Sequence, residues 1–275
     1  MSDRTLQIRD VRFKKPVPLD IALGVTYKLH EPWMVTFLER VLKPKDVFLD
    51  VGANVGQTLL SAVAVRPDVH YYGFEASPDC VVYLKQLVQK NNLKNISIFP
   101  CGLSNKNEIA SLWVTRGNPT SAGSTVVTGV KDLGKRAAEH VPLFTLDTVW
   151  KQFSETKISV MKVDVEGHEV AVLEGAREVI AEHKPMIVLE ILPLRHEGDT
   201  TRDTARKDAQ AFFDRQGYAI YHIQKTPDND FVGIEKLPSL PDSIIDAESA
   251  FSTHDYVAVP HDTATALEAA LSSDT

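Results

Sequence analysis

Short apolar runs alternate with helical segments along most of this chain of 275 residues, and that alternation limits the folds open to it. The runs predict buried strands at residues 47–51, 70–75, 96–100, 159–165, 186–192, 218–224 and 255–260. Helices are predicted at residues 32–42, 57–65, 78–90, 146–153, 169–182 and 204–216, and an extra β-segment at 108–115. Because strands alternate with helices, we predict an α/β fold, with a doubly wound, mostly parallel sheet of seven strands and helices on both faces.

The composition narrows the class of protein. Apolar residues make up 43% of the chain and charged residues 24%, which is typical of a soluble globular protein and excludes overall disorder. No apolar run approaches the roughly 18–20 residues that span a bilayer, and the N-terminus lacks a secretory pattern. Two cysteines, Cys80 and Cys101, cannot build a disulfide framework, so we expect a cytoplasmic protein without a membrane partner.

The net charge bears on partners. Lys and Arg number 30 and Asp and Glu 37, which gives a formal charge of −7. Binding to nucleic acid depends on the neutralisation of phosphates by basic side chains, so no nucleic-acid partner is predicted. The sequence leaves the oligomeric state open.

In a sheet wound this way, the carboxyl ends of the strands meet at one edge, where ligands bind. The residues expected at that edge are Asp50, Glu75, Cys101, Asp164 and Glu190. Asp164 and Glu190 could ligate a divalent metal, but two isolated carboxylates are a weak signal, and no metal site is predicted.

The first strand runs into a turn with two glycines, DVGANVG at residues 50–56. A dinucleotide-binding turn needs G-x-G-x-x-G, and two of those glycines are missing, which counts against a diphosphate. The carboxylate of Asp50 would repel a diphosphate and attract an amino group. Gly52 and Gly56 let the backbone approach a ligand closely. We therefore assign Asp50, Gly52 and Gly56 to a cofactor with an α-amino group and an adenosine, which is S-adenosylmethionine. The alternative is an ordinary turn with Asp50 satisfied inside the protein.

Two further turns extend this predicted cofactor site. Glu75 ends the second strand at about the 20-residue spacing from Gly52 at which an acidic residue holds ribose hydroxyls in nucleotide-binding folds. A solvated glutamate before a helix is the alternative. Gly102 and Leu103 follow the third strand and are expected beside the adenine, whereas Cys101 is expected to be a buried filler.

The fourth strand runs into an acidic segment, MKVDVEGHE at residues 161–169. Asp164 and Glu166 face the same side if the strand continues that far, so that one could orient an amino group or hydroxyl while the other accepts a proton. His168 is a further candidate for the base. The alternatives are that Glu169 only favours the N-terminus of the next helix and that His168 is a solvated loop residue.

The order of these motifs resembles one known family. The chain carries D-V-G-A-N-x-G, then G-F-E-A-S-P, T-L-D-x-V, K-V-D-V-E-G-H-E-x-x-V-L-E-G-A and I-V-L-E-I, over roughly residues 31–192. The series is similar to that of FkbM-type methyltransferases, a branch of the class I S-adenosylmethionine-dependent enzymes. The resemblance implies a class I methyltransferase-like sheet with an antiparallel last strand. It adds Asn54 and Ala76 to the cofactor contacts and marks Glu31 as a recurring acidic position without a role.

On this interpretation the chain is an O-methyltransferase that transfers a methyl group in line to a hydroxyl of a small molecule, sugar, glycan or natural product. The base is expected among Asp164, Glu166 and His168, in that order. The predicted organisation is an extension at residues 1–30, one domain at 31–260 and a tail at 261–275, with acceptor choice in 1–30 and 117–134. The alternatives are an NAD(P)-dependent oxidoreductase on a similar sheet and an inactive S-adenosylmethionine-binding protein.

Overall fold

A computed structural model describes residues 5–16, 28–115, 124–126, 136–153, 157–242 and 254–272 of the chain. The strands are β1 (Thr5–Ile8), β2 (Val11–Lys14), β3 (Val47–Val51), β4 (His70–Phe74), β5 (Ile96–Phe99), β6 (Gly102–Leu103), β7 (Glu108–Thr115), β8 (Arg136–Phe144), β9 (Val160–Val163), β10 (Met186–Glu190), β11 (Tyr218–Lys225), β12 (Phe231–Leu237) and β13 (Asp255–Pro260). The helices are α1 (Pro32–Val41), α2 (Gln57–Val65), α3 (Pro78–Lys90), α4 (Leu146–Trp150), α5 (Glu169–Glu174), α6 (Arg177–His183), α7 (Thr200–Gln216) and α8 (Ala264–Ser272), and a 3-10 turn follows α4 at Lys151–Phe153.

The main sheet has the strand order β12-β11-β13-β10-β9-β3-β4-β5. Strands β10, β9, β3, β4 and β5 run parallel, and β13 is antiparallel to both of its neighbours. This order confirms the predicted mostly parallel α/β sheet with an antiparallel last strand. The described sheet has eight strands rather than the predicted seven, because β12 pairs with β11 at the edge. None of the side chains of β12 is fully buried, and polar and charged residues interrupt its sequence, so no apolar run predicts this strand.

Both faces of the sheet are covered. Along β3, Leu49 belongs to a core shared with α4 to α7, whereas its neighbour Phe48 packs in a second core with α1, α2 and α8. Because alternate residues of β3 enter opposite cores, every residue of that strand is buried. The prediction of helices on both faces is confirmed.

A smaller sheet with the order β6-β8-β7 follows the third parallel strand. The extra β-segment at residues 108–115 is confirmed as β7, whereas β8 was not predicted. Most of the predicted loop at 117–134 lies outside the described residues. Within it, Thr125 forms an isolated bridge with Trp113 of β7.

The predicted helix at residues 169–182 is wrong in its continuity, because two short helices, α5 and α6, occupy that stretch. The break lies at Gly175, where a Cβ atom would come within 1.9 Å of the carbonyl oxygen of Ser104. Asp147 of α4 accepts hydrogen bonds from the backbone N–H groups of Glu178 and Val179 and so caps the first turn of α6.

The chain ends are packed against the sheet and its helices where they are described. Leu6, Ile8 and Phe13 of the β1–β2 hairpin share a core with side chains of α1, α2 and α3. In the described residues, no helix is long and apolar enough to cross a membrane. The domain boundaries and the cytoplasmic location stay predictions.

Candidate active site

A cavity of about 570 Å³ opens at the carboxyl edge of the parallel strands. Apart from Asp50 and Gly56, all predicted site residues line it, namely Gly52, Asn54, Glu75, Ala76, Gly102, Leu103, Asp164, Glu166 and His168. The structure therefore brings together turns that follow four different strands. The roles assigned to these residues stay predictions.

The glycine turn forms one wall of the cavity. Gly52 has φ +91°, and a Cβ atom there would lie 2.0 Å from the carbonyl oxygen of Asp164, so only glycine lets this turn approach the end of β9. The N–H groups of Gly52 and Ala53 donate to the carbonyl oxygen of Phe74 at 2.9 and 3.1 Å. Because those N–H groups already have partners, the turn is no cradle for phosphate oxygens.

Gly56 does not line the cavity and packs between two helices, so its predicted cofactor contact stays a prediction. It caps α2 with φ +81°, and a Cβ atom would come within 2.7 Å of the Leu84 side chain on α3. The glycine therefore lets α2 and α3 pack closely, away from the cavity wall.

Asp50 does not line the cavity, and its predicted contact with the cofactor stays a prediction. The side chain is fully buried, accepts a short hydrogen bond from the Tyr71 hydroxyl, and has no partner for Oδ1 among the described residues. Burial raises the pKa of Asp50 to about 6, and the nearby Lys162 ammonium partly offsets this rise. Any influence of Asp50 on a ligand is therefore exerted through its neighbours.

Glu75 is held in place by backbone groups. Its Oε2 accepts from the N–H of Asn54 and its Oε1 from the N–H of Ser77, both at 2.7 Å. Burial raises the pKa of Glu75 to about 7 despite these hydrogen bonds. Each carboxylate oxygen can accept a second hydrogen bond, so Glu75 can still bind hydroxyl groups in the cavity.

An apolar slot lies beside Ala76 and Gly102. Leu103, Leu112 and Leu143 line this part of the cavity, and Leu112 and Leu143 belong to the small core of the β6-β8-β7 sheet. The sequence indicated Leu103 but not the other two leucines, because β8 was not predicted. The slot suits a flat apolar ring.

The acidic segment is a turn and does not continue the strand. Strand β9 ends at Val163, and Glu166 and Gly167 have φ values of 56° and 98°. Glu169 accepts from the N–H of Gly167 at 2.9 Å, and Thr125 donates to the carbonyl oxygen of Glu166 at 2.9 Å. Asp164 and Glu166 therefore reach the cavity through a braced turn rather than by strand alternation.

His168 is partly buried at the start of α5. Its Nε2 lies 3.0 Å from the Ser104 hydroxyl, and burial lowers the pKa of the imidazole. The neutral form of the imidazole is therefore favoured, and in that form one ring nitrogen can accept a proton.

A buried lysine joins several of the carboxylates. The Nζ of Lys162 is 2.7 Å from Oδ2 of Asp164 and 3.3 Å from Oε2 of Glu31. Burial would lower the pKa of Lys162, but the carboxylates of Asp164, Glu31 and Asp50 outweigh it and hold the pKa well above its usual value. Lys162 therefore carries a positive charge at the cavity wall.

The side of the cavity lined by Trp33, Glu190, Lys225 and Asp255, here called the far side, is charged as well. Lys225 pairs with Asp255, and its Nζ lies 5.4 Å from the centroid of the Trp33 ring. Burial, together with Asp164, Asp255 and other carboxylates, raises the pKa of Glu190 to about 9. Glu190 is therefore mostly protonated at neutral pH and can donate a hydrogen bond.

Sequence reasoning missed much of this far side. Lys225, Asn229 and Asp255 line the cavity together with Trp33, but they come from β11, the turn after it, and β13. No spacing in the sequence links them, since only the sheet order, with β13 beside β10 and β11 beside β13, brings them to this side of the cavity. Lys162 was visible as a charge inside an apolar strand, which is a signal for a buried ion pair.

No group of metal-ligating side chains suited to holding an ion occurs in the part of the chain that the structure describes. Both cysteines are buried free thiols, and burial raises their pKa values.

The family model described as the methyltransferase FkbM domain matches residues 50–220, which is more than half of the chain. The chain belongs to the FkbM methyltransferase family. The match contains the glycine turn, Glu75 and the acidic turn of this FkbM domain. Its cavity also uses residues outside the match, among them Glu31, Lys225 and Asp255.

The solved structures that match this chain at low identity include the following three. A methyltransferase FkbM from Methylobacillus flagellatus KT is 16% identical, with 81% of this chain and 50% of that chain covered and a TM-score of 0.48. The Geobacter metallireducens GS-15 precorrin-6y C5,15-methyltransferase is 12% identical, with 90% and 93% covered and a TM-score of 0.42. TYW2 of M. jannaschii, in complex with AdoMet, is 11% identical, with 93% and 84% covered and a TM-score of 0.45. The chain thus covers half the length of the M. flagellatus protein. A comparison with curated proteins gave no match to the present sequence.

Proposed function

We propose that this chain is an S-adenosylmethionine-dependent methyltransferase that methylates a hydroxyl oxygen. One observation carries the proposal: in a member of the FkbM family, Glu75, Asp164 and an apolar slot line a single cavity at the carboxyl edge of the sheet. S-adenosylmethionine supplies a methyl group on a positively charged sulfur. The adenine needs an apolar slot, and the ribose hydroxyls need a hydrogen-bond acceptor such as Glu75. The positively charged end needs a negative wall, which Asp164 can provide.

The cofactor contacts follow from the chemistry of the wall. Glu75 accepts hydrogen bonds from the ribose hydroxyls, because each of its oxygens retains a lone pair beyond the one used by a backbone N–H. Leu103, Leu112 and Leu143 pack on the adenine. Asp164, whose side chain is 32% exposed, presents negative charge to the cationic end of the cofactor.

The acceptor binds on the side of the cavity that lies outside the family match. Trp33, Lys225, Asn229 and Asp255 line that side, and their polar and charged groups favour a hydroxylated acceptor over an apolar one. Positioning of the hydroxyl against the methyl group supplies most of the acceleration, on the order of several kcal/mol. Acceptor choice is therefore assigned to these residues in addition to the N-terminal and loop segments.

A base is needed to remove the hydroxyl proton. Asp164 is paired with Lys162 and is suited to orienting a ligand, whereas Glu190 is mostly protonated at neutral pH. Glu166 lies in the same cavity and is the preferred base, with His168 as the second candidate.

Incubation of the protein with S-adenosylmethionine and pools of hydroxylated metabolites tests the proposal. A mass spectrometer should detect products heavier by one methylene group, together with S-adenosylhomocysteine. Oxidation or reduction of a substrate with NAD or NADP would favour the oxidoreductase alternative. Cofactor binding without any product across such pools would favour an inactive binding protein.

A further inference from the structure

Lys162 lies where carboxylates from three parts of the chain converge. Its side chain is 6% exposed, and its ammonium contacts Asp164 from the turn after β9 and Glu31 from the residue before α1. Asp50 of β3 is its register partner across the sheet. One positive charge therefore faces three carboxylates, none of which is on its own strand.

We propose that Lys162 is a positioning residue for methyl transfer, which fixes the Asp164 and Glu31 carboxylates at the cavity wall so that they face a cationic cofactor. This inference rests on the proposed function, since it takes the cofactor to be S-adenosylmethionine.

The cost of burying an ammonium supports a specific role for Lys162. Its neighbours on β9, Met161 and Val163, are fully buried, and an apolar side chain at position 162 would fill the same space. A buried charge stabilises a fold no better than a well-packed apolar side chain, and breaking such a pair is costly. Of the carboxylates near Lys162, Asp164 and Glu31 both line the cavity, with 32% and 28% of their side chains exposed, so the charge network reaches the cavity wall.

Charged and titratable groups surround Lys162 on every side. Asp164, Glu31 and Asp50 act on Lys162 directly. Around these partners lie Tyr71 on β4, which donates to Asp50, Asp255 on β13, which acts on Glu31 and pairs with Lys225 on β11, and Glu190 on β10, which lies near Asp164, Glu166 and Glu169. Burial raises the pKa of Glu31 to about 7 and that of Asp50 to about 6, and Lys162 offsets part of each rise. Without the ammonium, both carboxyl groups therefore keep their protons to higher pH.

The test compares the wild type with Lys162→Met and Lys162→Arg by calorimetric titration of S-adenosylmethionine. In Lys162→Met the affinity should fall at least about tenfold near pH 6, and the deficit should shrink towards about pH 9, because removal of a neighbouring opposite charge moves carboxyl pKa values by about 1–3 units. Lys162→Arg keeps the charge and should stay within about threefold of the wild type.

Two further variants separate this role from a structural one. Lys151→Met removes an exposed lysine far from the cavity and should leave the affinity and its pH dependence unchanged. Glu31→Gln removes one carboxylate beside Lys162. Because a like charge is lost, the remaining carboxyl groups ionise at lower pH, and the midpoint of the pH dependence of S-adenosylmethionine affinity should move to lower pH. It also serves if Lys162→Met does not fold.

The outcomes distinguish the inference from the proposed function. Three results would overturn the inference and leave the proposed function standing. They are a loss of affinity in Lys162→Met that is equal at all pH values, a similar loss in Lys162→Arg, and an unchanged midpoint in Glu31→Gln. No binding of S-adenosylmethionine by the wild type overturns both.

Discussion

At the scale of single residues, Glu75 combines a fixed geometry with an unusual ionisation. Two backbone N–H groups hold its oxygens, and burial raises its pKa to about 7. The ionised form accepts hydrogen bonds more strongly than the protonated form, so affinity for a ribose should fall as the pH drops below about 7.

Glu75→Gln should weaken the binding of S-adenosylhomocysteine by roughly tenfold and flatten this pH dependence, since the glutamine amide cannot take up a proton. Calorimetry at two pH values measures both effects. Glu182→Gln, an exposed site on α6, is the matched control and should behave like the wild type. Unchanged affinity in Glu75→Gln would remove Glu75 from the cofactor site.

Glu166 is expected to act in the chemical step. Glu166→Gln should lower kcat by about 10²-fold or more while the affinity for S-adenosylhomocysteine stays near that of the wild type, because a base is used only during proton transfer. His168→Gln provides the comparison, and a larger loss of kcat in that variant would make His168 the base.

Single residues also mark what sequence can and cannot predict. Glu75 and Asp164 follow recognisable strands, so their position at the cavity was foreseeable. Asp50 occupies the predicted strand end, but its side chain points to the buried Tyr71 hydroxyl, and a strand pattern alone does not say which face opens to a cavity.

At the scale of elements, the turn after β3 depends on glycine. Gly52→Ala should destabilise the protein by about 2 kcal/mol or more and abolish cofactor binding, because the added Cβ would clash with the Asp164 carbonyl at an unfavourable φ. Gly233→Ala on β12 is the control, since its nearest neighbour would be 3.8 Å away and its φ is ordinary. Urea unfolding measures the free energies, and equal values for the two variants would contradict this account of the turn.

The start of α7 depends on Asp199. The carboxylate is bound by the Arg195 guanidinium at 2.7 and 2.8 Å and accepts from the N–H of Arg202. The hydrogen bonds from Arg195 hold the pKa of Asp199 far below its usual value, so the stabilisation is present above about pH 4 and lost as the pH falls through the folded-state pKa.

Asp199→Ala should therefore lower the free energy of unfolding by roughly 2 kcal/mol at neutral pH and by less in acid. Asp208→Ala, on the exposed face of the same helix, is the control and should change little. A cost that is the same in acid and at neutral pH would contradict the role of the ionised carboxylate.

Elements with a strong apolar run were predictable, and those without one were not. Strands β3, β4, β10 and β13 were found close to their bounds, whereas β12 is an edge strand with exposed side chains. The break lies at Gly175, whose backbone approaches that of Ser104, far away in the sequence, and no local pattern reveals that contact.

At the scale of the whole molecule, the sheet order assembles the cavity. Strands β13 and β11 come late in the chain, but β13 pairs with β10 and β11 pairs with β13, which brings Asp255 and Lys225 to the edge where Asp164 follows β9. The half of the cavity that we propose for the cofactor comes from the family-matched region, and the other half comes largely from outside it. We infer that relatives with other acceptors differ mainly in that second half.

The central claim is that this cavity binds S-adenosylmethionine rather than a dinucleotide. Calorimetric titration of the wild-type protein with S-adenosylhomocysteine, NAD and NADP tests it most directly. Binding of S-adenosylhomocysteine at one site per chain, with no heat from NAD or NADP, is the expected result. Tight binding of NAD or NADP without binding of S-adenosylhomocysteine would contradict the claim.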